Sequence, residues 1–303
     1  MSKSISEVRT PITAPVAKLG FMPCIVCGSK EQAPMYRVLQ QCRDCGFVRA
    51  DVTIDEEEIR KLYHEDYFLG REYGDYVADR RVHRKNFARR FSEITKVAGP
   101  IGSVFEIGCA YGFWLELLSG QGVRCAGIDI CPEAAAYAVG VLRQNATAGD
   151  FLRTEIAPGE YQTFCMWDTI EHLAHPEAIV ERVFDALPSG GWFFATTGDI
   201  GSGEARRRGP AWRMIHPPTH LQYFSRDTMS RFLKRHGFEV VAIRSTPIYR
   251  SVRGVVSGLV LFENGLRHQA GRLADKLVPT RLQERFGFWM DLGDIMLVCA
   301  RKP

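Results

Sequence analysis

The chain has 303 residues, 46% of them apolar and 24% charged, with a formal net charge of +4; this is the composition of a folded protein with room for one large domain and one small one, and it excludes a disordered chain. It contains no charge-free apolar run of about eighteen residues and no compact apolar core near its N-terminus, so neither a spanning helix nor a secretory signal is expected. Nine cysteines, of which only the first four are patterned, exclude a secreted disulfide framework and point to a reducing, cytoplasmic setting.

Charge is unevenly spread. Residues 201–290 carry 16 Lys and Arg against 6 Asp and Glu, whereas residues 1–200 carry 21 against 27. A basic C-terminal third suits phosphate, carboxylate, nucleic acid or an anionic membrane surface, and equally a solvated basic face.

In chain order, residues 1–20 read as a flexible arm without apolar periodicity. Residues 21–52 hold Cys24-Ile-Val-Cys27 and Cys42-Arg-Asp-Cys45, each pair followed by a glycine. Two such knuckles supply four thiolates for a closed tetrahedral site, so Cys24, Cys27, Cys42 and Cys45 are expected to hold a structural zinc ion that staples a ribbon too small to be stable alone. Met35-Tyr36-Arg37-Val38-Leu39, between the knuckles, is expected to be a ribbon strand.

Residues 53–100 read as a helical linker or lid. Its second helix, Tyr76 to Val97, places Val82, Phe87, Phe91 and Ile94 on one apolar stripe and its arginines elsewhere. The aromatic-rich link Tyr63 to Phe68 resembles an interdomain latch.

From residue 101 onward strand and helix signals alternate. Strands are expected at Ser103–Ile107, Arg124–Asp129, Ala146–Gly149, Tyr161–Trp167 and Trp192–Thr197, with helices at Phe113–Ser119, Pro132–Leu142 and Pro176–Ala186. That alternation predicts an α/β, doubly wound, Rossmann-like sheet with its ligand at the carboxyl ends of the strands. Helix Arg226–His236 and strands Phe238–Arg244 and Asp294–Arg301 complete seven strands. Two insertions, at about 201–218 and 249–289, interrupt this 101–303 domain.

The residues at the strand ends carry a consistent chemistry. Glu106-Ile-Gly108-Cys-Ala110-Tyr-Gly112 sets small residues at alternate positions after an acid, unlike the G-x-G-x-x-G of a nicotinamide site, and Asp129 follows at the distance of a ribose acceptor. Together with Gly127-Ile128-Asp129-Ile130, Gly149-Asp150-Phe151 and Trp167-Asp168-Thr169-Ile170-Glu171-His172, this ordered series resembles the motifs of class I S-adenosylmethionine-dependent methyltransferases over about 101–245 and the last strand. The resemblance implies Gly108 and Gly112 against the amino-acid part of the cofactor, Asp129 on the ribose and Asp150 with Phe151 at the adenine; Glu106, Ala110, Ile130 and Trp167 complete the implied cofactor set. Ala110 stands where the family usually has a third glycine.

In the fourth motif Asp168 and His172 are four residues apart, and a helical turn there brings a carboxylate and an imidazole onto one face. Methyl transfer needs the acceptor positioned and its proton removed, a task suited to His172 as general base, with Asp168 and Glu171 beside it and His220 on a later loop. The same four residues, Asp168, Glu171, His172 and His220, also suit a divalent metal of mixed oxygen and nitrogen ligands. Their spacing is similar to that in ubiquinone-pathway O-methyltransferases and small-RNA 2′-O-methyltransferases.

The insertion Gly201–Pro218 is expected to cap an anionic or glycosylated acceptor, with Trp212 as platform and Arg206, Arg207 and Arg208 meeting its charge. Val252–Phe262 is expected to be a buried helical pair or a homodimer contact, with a peripheral membrane segment as the alternative. The favoured reading is O-methylation of a sugar or other small-molecule hydroxyl, with C- or N-methylation open. An RNA-binding or RNA-modifying role is disfavoured because the ribbon offers arginines but few aromatics to stack on bases.

Overall fold

The computed structural model describes residues 17–18, 22–54, 76–260, 279, 283 and 286–303. The expected N-terminal arm, apart from the two residues of its first strand, lies outside them, as do the first linker helix with its Tyr63–Phe68 latch and most of the 249–289 insertion. Ala17–Lys18 (β1) is followed by an antiparallel meander of Gln32–Met35 (β2), Leu39–Cys42 (β3) and Val48–Ala50 (β4), and Thr53–Ile54 (β5) returns to pair with β1. The expected strand at Met35–Leu39 is instead the turn of the β2–β3 hairpin. Tyr36 and Arg37 both have positive φ, 52° and 66°, the pair of left-handed residues that matches a tight turn to the right-handed twist of its strands.

Arg80–Ala98 (α1) leads into the large sheet. Its strands are Ser103–Ile107 (β6), Arg124–Asp129 (β7), Ala146–Ala148 (β8), Thr163–Trp167 (β9) and Trp192–Gly198 (β10), with helices Phe113–Gly120 (α2), Pro132–Gly140 (α3) and Pro176–Ala186 (α4) between them. β6 and β9 are buried at every position, as expected of parallel strands covered by helices on both faces. Proline at the first position opens both α3 and α4, where its missing N–H costs nothing and its fixed φ suits the helix.

Past β10, Gly203–Arg208 (α5) precedes Gln222–Tyr223 (β11), Arg226–Arg235 (α6), Glu239–Ser245 (β12), Ile248–Ser251 (β13), Val252–Val260 (α7), Gly287–Met290 (β14) and Ile295–Arg301 (β15). The seven-stranded order is β12-β15-β10-β9-β6-β7-β8, parallel except for β15, which runs antiparallel to β10 and β12. The order reverses between β6 and β9, which is where such sheets bind ligands. β11 does not join this sheet. It pairs antiparallel with β4, Gln222 opposite Arg49 and Tyr223 opposite Val48, and so becomes the fourth strand of the cysteine-bearing sheet. Phe47 from that sheet packs on Phe224 at 5.0 Å, and Cys24, Val26 and Cys42 share one core with Phe232 and Leu233 of α6.

The buried face of α1 keeps two of the four expected residues, while Val82 and Phe91 are only partly buried. Phe87 and Ile94 face inward as expected, but Arg90 lies between them and is 8% exposed. Both ends of the second insertion are described: β13 and β14 pair antiparallel, from Ile248 opposite Met290 to Ser251 opposite Gly287.

Candidate active site

The loop from β6 to α2 is shaped by glycines at 108 and 112, with φ of 78° and 77°. A Cβ on Gly108 would lie 2.6 Å from the Thr169 hydroxyl, and one on Gly112 2.7 Å from the Ala138 methyl, so both positions need glycine for backbone shape and for close approach. Ala110 fits with φ of 44°. Asp129 ties this loop to the end of β7: Oδ2 accepts the Ala110 N–H at 2.7 Å and Oδ1 the Cys131 N–H at 2.9 Å. Burial raises its carboxyl above the ordinary range, and these two N–H donors oppose the shift.

Glu106, at the centre of the sheet's carboxyl edge, is 2% exposed, and its Oε2 has no hydrogen-bond partner. Burial and then the charge of Asp129 push its carboxyl well above the ordinary value. Ile130 follows Asp129 with 42% of its surface exposed. Asp150 caps the 3-10 turn Phe151–Arg153 by accepting the Leu152 N–H at 2.9 Å, and pairs with Arg153 at 3.5 Å. Phe151 opens that turn. It is buried against Phe105 and Phe164, at 5.9 and 6.1 Å, because the 3-10 turn rotates its ring under the sheet.

The fourth motif splits into two groups. Asp168, in a left-handed conformation with φ of 51°, receives Arg90 Nη2 at 2.7 Å and the Thr196 hydroxyl at 2.9 Å. Burial alone would raise its carboxyl, but the Arg90 charge and these hydrogen bonds outweigh it and hold the group below its usual range. Arg90 also lies 5.4 Å from the ring of Trp167. Trp167 in turn packs edge-on to Trp114 at 5.0 Å and keeps a buried, unpartnered indole N–H.

Glu171 and His172 lie on the 3-10 turn Ile170–His172 and meet His220. Ligand atoms of Glu171, His172 and His220 all lie within 4.8 Å of one another, and the two imidazoles meet edge to face at 4.5 Å. Asp168 stands outside this trio, a correction to the expected four-residue set, because the left-handed turn at 168 sends its carboxylate to Arg90. Nδ1 of His172 faces the Thr219 carbonyl at 2.9 Å and Nδ1 of His220 the Met214 carbonyl at 2.9 Å. Carbonyls only accept, so both Nδ1 atoms carry hydrogen and the lone pair of each neutral ring is on Nε2. Burial, followed by the charges of His172 and His216, holds His220 far below its ordinary value. Neither carboxyl oxygen of Glu171 has a hydrogen-bond partner; burial and the charge of Asp168 push this group up to about 8.

What holds the His220 loop comes from a distance. The Leu221 N–H donates to the Glu171 carbonyl and the Ala50 N–H to the Leu221 carbonyl, both at 2.8 Å, so the ribbon strand β4, the loop and the fourth motif are stitched in series. The Tyr223 hydroxyl donates to the His220 carbonyl at 2.9 Å. In the ribbon, Cys24, Cys27, Cys42 and Cys45 converge with their sulfurs within 4.8 Å of one another. Buried Arg49 reaches the Pro23 carbonyl at 2.8 Å, beside the first knuckle.

The insertion at 201–218 does not present the expected surface. Trp212 is 2% exposed, and its indole N–H donates to Asp294 at 2.9 Å. It anchors the insertion to the sheet edge and offers no platform. Arg207 and Arg208 share the single carboxylate of Glu204 one turn back, which offsets one of their two charges, and Arg206 donates to the Gly201 carbonyl.

Arg90 and Thr196 are the site residues that sequence reasoning missed. Arg90 had a signal, since it lies three residues after Phe87 and four before Ile94 on the buried stripe; Thr196, inside an apolar strand, had none.

A seven-stranded mixed sheet in this order, with an acidic small-residue loop after its first strand, defines a class I S-adenosylmethionine-dependent methyltransferase fold. The family model described as a methyltransferase domain matches residues 72–243, and the chain belongs to that family. Over 103 residues it is 30% identical to the ubiquinone biosynthesis O-methyltransferase of Paraburkholderia phytofirmans, a match that covers 31% of this chain and 44% of the relative. The protein of the same name from Glaesserella parasuis is 24% identical over 156 residues, covering 48% of this chain and 65% of the relative. The chain thus spans about half the length of these curated relatives. Among solved structures, a SAM-dependent methyltransferase from Archaeoglobus fulgidus superposes with a TM-score of 0.51 at 15% identity, over 75% of this chain and 99% of that one; one from Thermotoga maritima gives 0.50 at 15% identity, over 75% and 95%. These likenesses extend to the fold.

Proposed function

We propose that this chain transfers a methyl group from S-adenosylmethionine to the hydroxyl oxygen of a small molecule, a sugar or another secondary metabolite. The observation that carries the reading is the cluster of Glu171, His172 and His220, in which Glu171 and His220 are buried and His172 is half-buried. S-adenosylmethionine, when bound, supplies an activated methyl group on a cationic sulfur. The residues present suit it: Glu106 offers a buried acceptor without a partner for an ammonium group, Ile130 an exposed apolar face for the adenine, and Asp129 the second lone pairs of its oxygens for ribose hydroxyls. Asp150 stands beside them at the end of β8, and Gly108, Ala110 and Gly112 allow the loop's close approach.

Within the trio the roles follow from burial. His220, held neutral, is a poor proton acceptor and serves to orient its neighbour. His172 takes the acceptor's proton on Nε2 as the oxygen attacks, and general-base assistance of this kind contributes about 10²–10⁴-fold. His172→Gln is expected to lower kcat within that range while the affinity for S-adenosylhomocysteine stays unchanged in calorimetry; an unaltered kcat would remove His172 from the mechanism.

A second reading is favoured by the same trio. Two imidazoles whose Nε2 lone pairs are fixed by Nδ1–H bonds to carbonyls, beside a carboxyl lacking partners, form a ligand set for a divalent cation. Such an ion would polarise the acceptor hydroxyl in place of a free base. Chelator-treated protein regaining activity with magnesium or manganese, and losing that response in His220→Ala, would establish the metal-assisted form. In the ribbon, the four converging sulfurs are the donor set of a closed structural zinc site, and metal analysis of the purified protein should find zinc that a Cys27→Ser variant loses.

A further inference from the structure

The outer face of α1 is a cationic stripe. Arg81, Lys85, Arg89 and Lys96 recur at positions i, i+4, i+8 and i+15, opposite the buried Phe87, Arg90 and Ile94, and Arg84 flanks them. Glu93 is the sole acid within α1; its two oxygens are taken by Arg89 at 3.1 Å and Thr246 at 2.8 Å. Arg81, Arg84, Lys85 and Lys96 make no ion pair among the described residues. Lys85, Arg89 and Lys96, with Glu93 and with Trp289 of β14, line a cleft of about 500 Å³, and a second of about 460 Å³ opens beside Arg81, Arg84 and Lys85.

Beside this stripe lies a patch of apolar side chains facing water. Phe286 is 57% exposed, Phe288 47%, Trp289 43% and Leu292 40%. Arg89 stacks over the Trp289 ring at 5.1 Å, so the two surfaces are continuous. Cations alone would suit any polyanion; large apolar side chains left in water beside them suit a partner that is anionic at its surface and apolar just beneath. Stacking on nucleic-acid bases would use the rings but not Leu292.

We propose that α1 and the β14 edge form a docking face for an anionic lipid bilayer, with Arg81, Arg84, Lys85 and Lys96 meeting headgroup phosphates and Trp289 and Leu292 entering the headgroup boundary. Arg80, one residue before the stripe, pairs with Glu116 and lies over Phe113 at the start of α2, so this end of the docking face adjoins the helix that follows the cofactor loop.

The test is co-sedimentation of the full chain with vesicles of phosphatidylcholine alone and of phosphatidylcholine containing about one-third phosphatidylglycerol. Binding is expected to the anionic vesicles only and to weaken steeply with salt. Arg81→Ser/Arg84→Ser/Lys85→Ser should lower the partition coefficient on the order of 100-fold, as expected for removing three surface cations. Brominated lipid should quench the wild-type tryptophan emission, and Trp289→Phe should lose that quenching. Both variants should keep wild-type affinity for S-adenosylhomocysteine, showing an intact fold. Equal binding to both vesicle types, or a triple variant that binds anionic vesicles as wild type does, would overturn the proposal. So would retention of a single-stranded oligonucleotide, lost in the triple variant, by a protein that ignores anionic vesicles.

Discussion

The proposed cofactor side and the proposed acceptor side of this molecule are built in different ways. The cofactor side is local: Glu106, the 108–112 loop, Asp129 and Asp150 lie within 45 residues, on three adjacent parallel strands, and are tied by backbone N–H groups to Asp129 and to the Ile128 carbonyl. The acceptor side is assembled across the chain. Ala50 of the ribbon, Glu171 of the fourth motif and Leu221 of the late loop meet through two backbone hydrogen bonds. A site of the first kind survives as long as the sheet does, whereas the second also depends on a small sheet with little core of its own.

The strongest way to break this contrast is to remove the zinc proposed to staple the ribbon. Cys27 is the exposed member of the four, so Cys27→Ser disturbs packing least. It should lower kcat about 100-fold, since a structural metal contributes several kcal/mol to a fold of this size, while leaving affinity for S-adenosylhomocysteine within about threefold. If affinity falls as far as kcat, the two sides are one cooperative unit. Next in size, Arg90→Met strands Asp168 beside a lost partner. We expect a loss of about 2–3 kcal/mol in denaturant unfolding, less than for a fully buried pair because a third of the Asp168 side chain is exposed. Arg90→Met/Asp168→Asn should recover part of it; full additivity would show that the pair is not coupled.

Glu106 probes the cofactor side alone. Its carboxyl in the fold titrates well above its ordinary 4.5, so from 4.5 upward the native protein holds a proton that the unfolded chain has released. Stability therefore declines as pH rises through this window. Binding an ammonium group there expels the proton, so cofactor affinity should rise with pH over the same window. Glu106→Gln should abolish the affinity slope, lessen the stability slope, to which the raised carboxyls of Asp129 and Glu171 also contribute, and cost about tenfold in affinity, the loss of one charge-assisted hydrogen bond. Calorimetry at several pH values checks this, and an unchanged slope would place the ammonium elsewhere.

The contrast also explains what the sequence disclosed. Strands β6, β7 and β9 and helix α4 were legible because burial on both faces and proline at a helix start leave local marks. Glu171, His172 and His220 were legible as candidates, but not their meeting without Asp168, which turns on a left-handed residue at 168 that nothing nearby in the sequence demands. The inward packing of Phe151 was hidden for a related reason: the acid before it caps a 3-10 turn, and the ring follows the turn into the core. Tyr36 and Arg37 hid a hairpin turn because neither residue type favours positive φ. The pairing of β11 with β4 joins residues some 170 positions apart, and two short strands carry no signal of their partner. Charge summed over long segments drew attention to residues 201–290, yet the exposed stripe lies on α1, where helical periodicity and not net charge concentrates it.

The smallest expected effect tests the link closest to the chemistry. Tyr223 is 3% exposed, and its hydroxyl is the donor to the His220 carbonyl. Tyr223→Phe keeps the ring in its core position and removes one hydrogen bond, a change of about 1 kcal/mol. If the loop acts only as a structural strap, that loss appears in unfolding and kcat is unmoved. If the loop sets the orientation of His220 against His172, kcat falls about three- to fivefold with KM for the cofactor constant, and the same substitution in a Cys27→Ser background adds nothing further, because the ribbon and Tyr223 hold the same strand by its two ends.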